Sequence, residues 1–390
     1  MAKVIIDKGR QKRIESGHPW VYANEVNAIE GEYVPGGIVE VVNFKGRFIG
    51  KGYINPKSQI LVRILTRDKN EEIDEDFFRR RISSAWEYRK KVSDINCCRV
   101  VFAEADLLPA LIVDKFGDCL VVQTLALGID LHKDTIIKIL NEIIKPKGIY
   151  ERNDVPVRQL EGLEMKKGFL SEAFDTMVKI NENGVNFYVD IENGQKTGYF
   201  LDQKENRAAI KDIVKGAKVL DCFCHTGSFS LHAGFYGAKE VLGIDISEHA
   251  VDFARKNAEL NNLSDVCKFE AVNAFDKLRE LQENNEKYDV VILDPPAFTK
   301  SRAAIEGAYR GYKDINLRAM KIIKKGGFLV TASCSQHMTP DLFRQVIFDA
   351  ATDARKTLRQ VEYRSQAKDH PILWSSGETH YLKFIVLQIL

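Results

Sequence analysis

Hydrophobic and polar positions follow three successive patterns along the chain. Up to residue 70, β-branched stretches are broken by glycine turns: GGIVEVV at 36–42, GRFIGKGYI at 46–54 and ILVRILT at 60–66. Apolar runs of this length bounded by glycine predict strands, here a small β-rich module. The acidic stretch EEIDEDFF at 71–78 marks a junction. It leads into FFRRRISSAWEYRKKV, where Phe, Ile and Trp recur at helical spacing. Two strand-like runs follow, separated by the turn Lys115-Phe116-Gly117-Asp118, then a helix near 132–144 and further strands to about 190. That order predicts an α+β domain.

From residue 218 strands and helices alternate: strand KVLDCF, helix 227–236, strand EVLGID, helix 247–261, strand VCKFEA, helix 274–284, strand YDVVILD, helix 308–324, strand GGFLVTASC and helix 340–355. Alternation of this kind predicts a parallel sheet with helices on both faces. Strands near 357–364 and 381–389 have no long helix between them, which predicts antiparallel pairing at one edge. The expected fold class is therefore α/β, a doubly wound, mostly parallel seven-stranded sheet preceded by a β-rich and an α+β part. Domain boundaries are expected at 1–72, 73–190 and 191–390.

Composition narrows the function classes. The 390 residues are 45% hydrophobic and 29% charged, as in a globular protein, and no apolar run approaches the ~20 residues that span a bilayer. A membrane role is excluded on that pattern. The basic N-terminal segment lacks the apolar stretch and cleavage site of a secretory signal, so a cytoplasmic protein is expected. The seven cysteines, at 97, 98, 119, 222, 224, 267 and 334, form neither a disulfide framework nor a pair of zinc-spaced CxxC motifs. No metal is expected. Net charge is only +2, but residues 1–70 carry 12 Lys and Arg against 7 Asp and Glu, whereas residues 71–190 carry 17 against 22. The positive excess lies at the front, where it suits either a solvated face or nucleic-acid contact.

In open parallel sheets ligands bind beyond the carboxyl ends of the strands where the winding reverses. The first strand of the regular region leaves through Val219-Leu220-Asp221-Cys222-Phe223-Cys224-His225-Thr226-Gly227. Gly227 permits close backbone approach, Thr226 offers a hydroxyl, and Asp221 can accept a hydrogen bond from an ammonium. Asp245 ends the next strand, 24 residues on, where a carboxylate can accept both hydroxyls of a ribose. Phe223 and Ile246 lie beside these as further cofactor contacts. A GxGxxG cradle for a pyrophosphate is missing, which favours S-adenosylmethionine over a nicotinamide dinucleotide. Asp294-Pro295-Pro296-Ala297 leaves the fourth strand at the same edge, its prolines fixing a short loop with Asp294 aimed at the pocket. Cys334 closes the neighbouring strand; alone, such a cysteine reads as a small buried hydrophobe.

Seven motifs in order, GHPWVYANEV at 17–26, EADLLPALIVDKFGD at 104–118, QKTGYFLDQKENR at 195–207, DCFCHTGSF at 221–229, DPPAF at 294–298, RGYKDIN at 310–316 and SCS at 333–335, carry a resemblance over nearly the whole length. The chain resembles the RlmI-type 23S ribosomal RNA cytosine-C5 methyltransferases. That resemblance implies an N-terminal PUA RNA-binding domain, a central α+β domain and a Rossmann-like class I methyltransferase domain. It also implies large-subunit RNA as substrate, and a homodimer.

The resemblance further implies that Phe200, Gln203 and Arg207 border the cofactor, the guanidinium of Arg207 presenting its fork to the methionine carboxylate. Cys334 is implied as the nucleophile that adds to carbon 6 of cytosine, and Asp294 as the group that stabilises the adduct at N3 and the exocyclic amine. Near the adenine the family often carries Asp or Glu, whereas Asn273 followed by Ala274 stands here. Other RNA cytosine-C5 methyltransferases have a second cysteine after the fourth-strand proline, replaced here by Ala297, so the base for the carbon 5 proton is unassigned. Lys300, Arg302, Arg310 and Lys313, interleaved with Tyr309 and Tyr312, suit either RNA contact or a solvated helix face. Competing readings are amino-group methylation of a purine, with Phe298 stacked on the base, and a non-catalytic ribosome-assembly factor.

Overall fold

The computed structural model describes every residue except Lys300 and the side chain of Arg302. The chain forms two compact units, one of residues 1–180, 189–201 and 368–379, the other of 181–188, 202–367 and 380–390.

The first unit holds two sheets. Its six-stranded sheet runs in the order Trp20–Tyr22, Ile60–Thr66, Phe48–Ile54, Ile38–Val42, Lys3–Ile6, Val26–Glu30, and contains the three strands expected from the front of the chain. Its five-stranded sheet is built from Cys97–Phe102, Leu111–Phe116, Cys119–Thr124, Gly148–Asn153 and Lys166–Phe169. Helix Glu75–Val92 starts on Asp74, whose carboxylate accepts from the Phe77 N–H at 2.9 Å. It buries Phe77, Phe78, Ile82, Ala85 and Trp86. Tyr53 and Leu65 of the six-stranded sheet share that helix's core, so two sheets close into one body. The first family-like motif is structural here: Trp20 donates to Glu104 at 2.9 Å, and Arg63 pairs with Glu161 at 2.8 Å in the buried interior.

The second unit is the predicted doubly wound sheet. Its seven strands run Cys267–Ala271, Glu240–Asp245, Lys218–Cys222, Tyr288–Leu293, Ile323–Ser333, Lys383–Ile389, Leu358–Arg364. The first five are parallel, and Lys383–Ile389 is antiparallel to both neighbours. Helices Ser228–Phe235, Glu248–Leu260, Ala274–Glu283, Ile305–Ile322 and Pro340–Ala354 make the crossovers. Side-chain caps stop several of them from fraying: Ser247 accepts from the Ala250 N–H, and Thr339 from the Leu342 N–H ahead of Pro340. The winding reverses between Lys218–Cys222 and Tyr288–Leu293, so the turns leaving these two strands face one crevice. Among the described residues no helix is long and apolar enough to cross a membrane.

Candidate active site

The turn after Lys218–Cys222 is held in a conformation that few sequences tolerate. Phe223, His225 and Gly227 all take positive φ, at 67°, 50° and 83°, and strain of this kind gathers at ligand clamps. Gly227 is required twice over, by its φ and because a Cβ there would stand 3.0 Å from Ala254 Cβ and 3.1 Å from the Phe269 ring. Inter-strand ties hold the turn in place: the Cys224 N–H donates to Ile244 O at 2.9 Å, and the His225 N–H to Asp245 Oδ2 at 2.9 Å.

Two carboxylates are thereby presented for a ligand. Asp245 takes the second tie on Oδ1, from the Ser247 N–H at 3.0 Å, so both oxygens are oriented and each retains a lone pair. Asp221 is buried, with Ser230 Oγ donating to Oδ2 at 2.6 Å. Its Oδ1 is buried without a hydrogen-bond partner among the described residues. Burial pushes its carboxyl up to about 7, the Asp294 and Asp245 carboxylates add to the rise, and Ser230 opposes it. An acid in this condition lacks a cation, which an aminoacyl ammonium would supply. Thr226 is half-buried with its carbonyl accepting from Asn257 at 3.2 Å, while Ile246 is 73% exposed. Asn273 caps helix Ala274–Glu283, its Oδ1 accepting from the Phe275 N–H at 2.9 Å, and Ala274 is buried behind it.

Across the crevice Asp294 follows the fourth strand. Gln203 Nε2 donates to its Oδ1 at 2.9 Å, and Gln203 Oε1 accepts from Asn206 at 2.6 Å. Arg364 in turn holds Asn206 Oδ1 at 3.0 Å. Cys334 directly follows the adjacent strand, Ile323–Ser333, with Sγ 4.0 Å from Pro295 O. It is the one cysteine that is not buried. Burial pushes the thiols of Cys222 and Cys224 well above the ordinary range and that of Cys267 up to about 12, so these are packing groups.

Residues 4–67 match a PUA-like domain family and residues 164–378 an S-adenosylmethionine-dependent methyltransferase family. A ribosomal RNA large subunit methyltransferase I of Alteromonas mediterranea is 41% identical over 100% of this chain and 99% of its own. One from Aeromonas hydrophila is 42% identical over 99% of each. The chain belongs to the ribosomal RNA large subunit methyltransferase I family. The fold agrees: SMU.776, solved as a complex with SAH, superposes with TM-score 0.86 at 18% identity over 100% of both chains. The cofactor of this family member is S-adenosylmethionine, and the unpartnered Asp221 oxygen and the tied Asp245 carboxylate fit its ammonium and ribose.

Within this ribosomal RNA large subunit methyltransferase I relative, the structure gives Arg207, expected at the methionine carboxylate, a protein partner. Arg207 does not present an open fork: its Nε and Nη2 both donate to Glu182, at 2.5 and 2.8 Å, and the side chain is 1% exposed. A buried guanidinium requires a carboxylate, and Glu182, at the end of strand Met177–Glu182, supplies it. Phe200 belongs to the first unit, where Lys196 Nζ stands 4.6 Å over its ring.

The basic, aromatic segment is also largely committed internally. Tyr312 is fully buried, Tyr309 bonds Asp349, and Lys313 pairs with Asp353 at 2.7 Å. Of the expected RNA-facing groups, Arg310 is exposed, and Lys300 and the Arg302 side chain lie outside the described residues. Phe298 packs 4.6 Å from Tyr312 and near Phe223 and Phe275, inside an aromatic cluster. Sequence reasoning missed Glu182, Asn206, Ser230 and Lys383 as partners of the site; only Ser230, inside the cofactor turn, carried a positional signal.

Proposed function

We propose that this methyltransferase forms 5-methylcytosine in 23S ribosomal RNA through a covalent adduct of Cys334. The observation that carries the reading is the pairing of the strands that Asp294 and Cys334 directly follow, which sets the one partly exposed thiol beside the loop bearing the carboxyl. Carbon 5 of cytosine is a poor nucleophile, so a handle is needed. The Cys334 sulfur would bond to carbon 6 as the ring electrons move toward N3, where protonated Asp294 lends a proton that returns to its carboxylate when the carbon–sulfur bond breaks. Bound S-adenosylmethionine supplies an electrophilic methyl group to carbon 5. Loss of the carbon 5 proton to a base then breaks the carbon–sulfur bond and returns the thiolate.

Gln203, fixed by Asn206, would hold Asp294 toward the base. Of the cofactor contacts, Phe223, Thr226, Gly227, Asp221 and Asp245 are read as the core set, with Ile246, Asn273 and Ala274 toward the adenine, and Phe200 and Gln203 at the border. Residues 1–72 are read as the RNA-binding domain, 73–190 as a central domain and 191–390 as the catalytic domain, working in the cytoplasm as a homodimer on large-subunit RNA. The packed ring of Phe298 weighs against amino-group methylation, which needs that ring free to stack.

The deciding experiment incubates wild type and Cys334→Ala with ribosomal RNA containing 5-fluorocytosine and the cofactor. A denaturation-resistant protein–RNA adduct is expected for wild type alone. Methylation of ordinary RNA by wild type without any trapped adduct would overturn the covalent mechanism.

A further inference from the structure

Lys383 opens strand Lys383–Ile389 and stands directly across the ladder from Ser333, the residue before Cys334. Its side chain is 1% exposed. The ammonium donates to Ser335 O at 2.7 Å and to Tyr381 O at 2.8 Å, so it ties down the backbone on the far side of Cys334. Among the described residues Lys383 makes no ion pair with a carboxylate, and the one ionisable group whose charge favours its protonated form is the Cys334 thiol. A buried ammonium is costly unless paired, and two carbonyls satisfy its protons without balancing its charge. Among the described residues, the Cys334 thiol is the ionisable group whose charge answers it.

We propose that Lys383 is the positioning residue of the Cys334 nucleophile: its ammonium clamps the Ser333–Ser335 segment and supplies the counter-charge against which the thiol ionises. The inference rests on the covalent reading of Cys334 given above. In the ionisation the thiol proton leaves to solvent, sulfur keeps the electron pair, and Lys383 stays protonated, leaving a thiolate–ammonium pair. Attack on carbon 6 then consumes the sulfur's negative charge.

The surrounding groups are compatible with this pair. Burial pulls the Lys383 ammonium down to about 8, and the Cys334 charge acts in the opposite direction. His380, ahead of the strand, is pulled down by burial and then by Lys383, so it competes little as a cation. Tyr312, from helix Ile305–Ile322, is pushed up to about 12 by burial, with the Cys334 charge adding, and stays neutral. Asp294 is the remaining acid, one residue before the Pro295 carbonyl that approaches Sγ.

The test needs no RNA. Because the other six cysteines are buried, the pH profile of iodoacetamide alkylation at Cys334 can be read on the full-length protein by peptide mass spectrometry. We expect the wild-type midpoint to lie about one pH unit or more below that of Lys383→Met, roughly tenfold more thiolate at neutral pH. Lys383→Arg, which keeps the charge, should stay near wild type. Equal midpoints in wild type and Lys383→Met overturn the proposal. Should Lys383→Met fail to fold, wild type alone decides: a midpoint at or above the ~8.5 of an ordinary thiol overturns it. A low, Lys383-dependent midpoint without a 5-fluorocytosine adduct would uphold the pairing while removing the covalent reading, so the two failures are distinct.

Discussion

Gln203 Nε2 donates to Asp294 Oδ1 at 2.9 Å, joining the polar stretch ahead of the sheet to the loop that leaves its fourth strand. The amide cannot swivel, because Asn206 fills its carbonyl oxygen and Arg364 anchors Asn206. Removing the amide takes away the hydrogen bond that fixes Oδ1 of Asp294. A hydrogen bond to a charged group is worth ~1.5–3 kcal/mol, so Gln203→Ala should slow single-turnover methyl transfer about tenfold to a hundredfold. Circular dichroism and Tm should change little. An unchanged single-turnover rate would show that Asp294 is oriented without this amide.

If the proposed cofactor site is right, Asp221 should make cofactor binding pH-dependent. Its carboxyl is raised to about 7, chiefly by burial, so between pH 4 and 7 the folded protein holds a proton that the unfolded chain releases. The free protein should therefore lose stability as pH rises through this window, by a few kcal/mol in total on the order of the shift. The cofactor ammonium reverses the preference, and binding near pH 6 should expel a proton. Calorimetry in buffers of different ionisation enthalpy should detect that release, with affinity rising from pH 6 to 8. In Asp221→Asn both the proton release and the pH dependence should vanish.

The sheet and the four acidic or sulfur groups at its edge were legible because each lies at a strand exit. In a parallel sheet all exits converge, so Asp221, Asp245, Asp294 and Cys334 could be brought together from alternation alone. The partners of these groups were hidden. Lys383 comes beside Ser333 and Ser335 only through the antiparallel register of the last strand, and Glu182 reaches Arg207 from 25 residues upstream. Pattern contains no term for such pairs. Tyr312 could have been read correctly: with Ile315, Asn316 and Ala319 it makes one helical face, and that face is buried.

Glu182 and Arg207 form a buried, doubly hydrogen-bonded ion pair. Breaking a buried, doubly bonded pair leaves one charge uncompensated and costs ~3–5 kcal/mol. Glu182→Gln should accordingly lower the denaturant midpoint sharply. Because His232 also faces Glu182, with Nε2 3.2 Å from its carbonyl, the loss should spread into helix Ser228–Phe235. If instead cofactor affinity falls severely at unchanged stability, Arg207 serves the ligand after all.

Tyr312 supports the segment that carries Cys334, the proposed nucleophile. Its hydroxyl accepts from Ser333 Oγ at 2.9 Å and lies 3.1 Å from Ser335 Oγ, so it joins the two serines that flank Cys334. Its ring packs on Phe298 and Phe343, anchoring the hydroxyl to the core. Tyr312→Phe keeps that packing and removes only the bridge. Two buried serine hydroxyls then need new partners, at ~1–3 kcal/mol each in the worst case, and the segment gains freedom at the position where sulfur must meet carbon 6. Methyl transfer should fall about tenfold or more, while the cofactor dissociation constant, set at the other strand exits, should hold. Isothermal titration together with single-turnover transfer separates the two quantities. A weakened cofactor with unchanged transfer would mean that the hydroxyl bridge serves the pocket rather than Cys334.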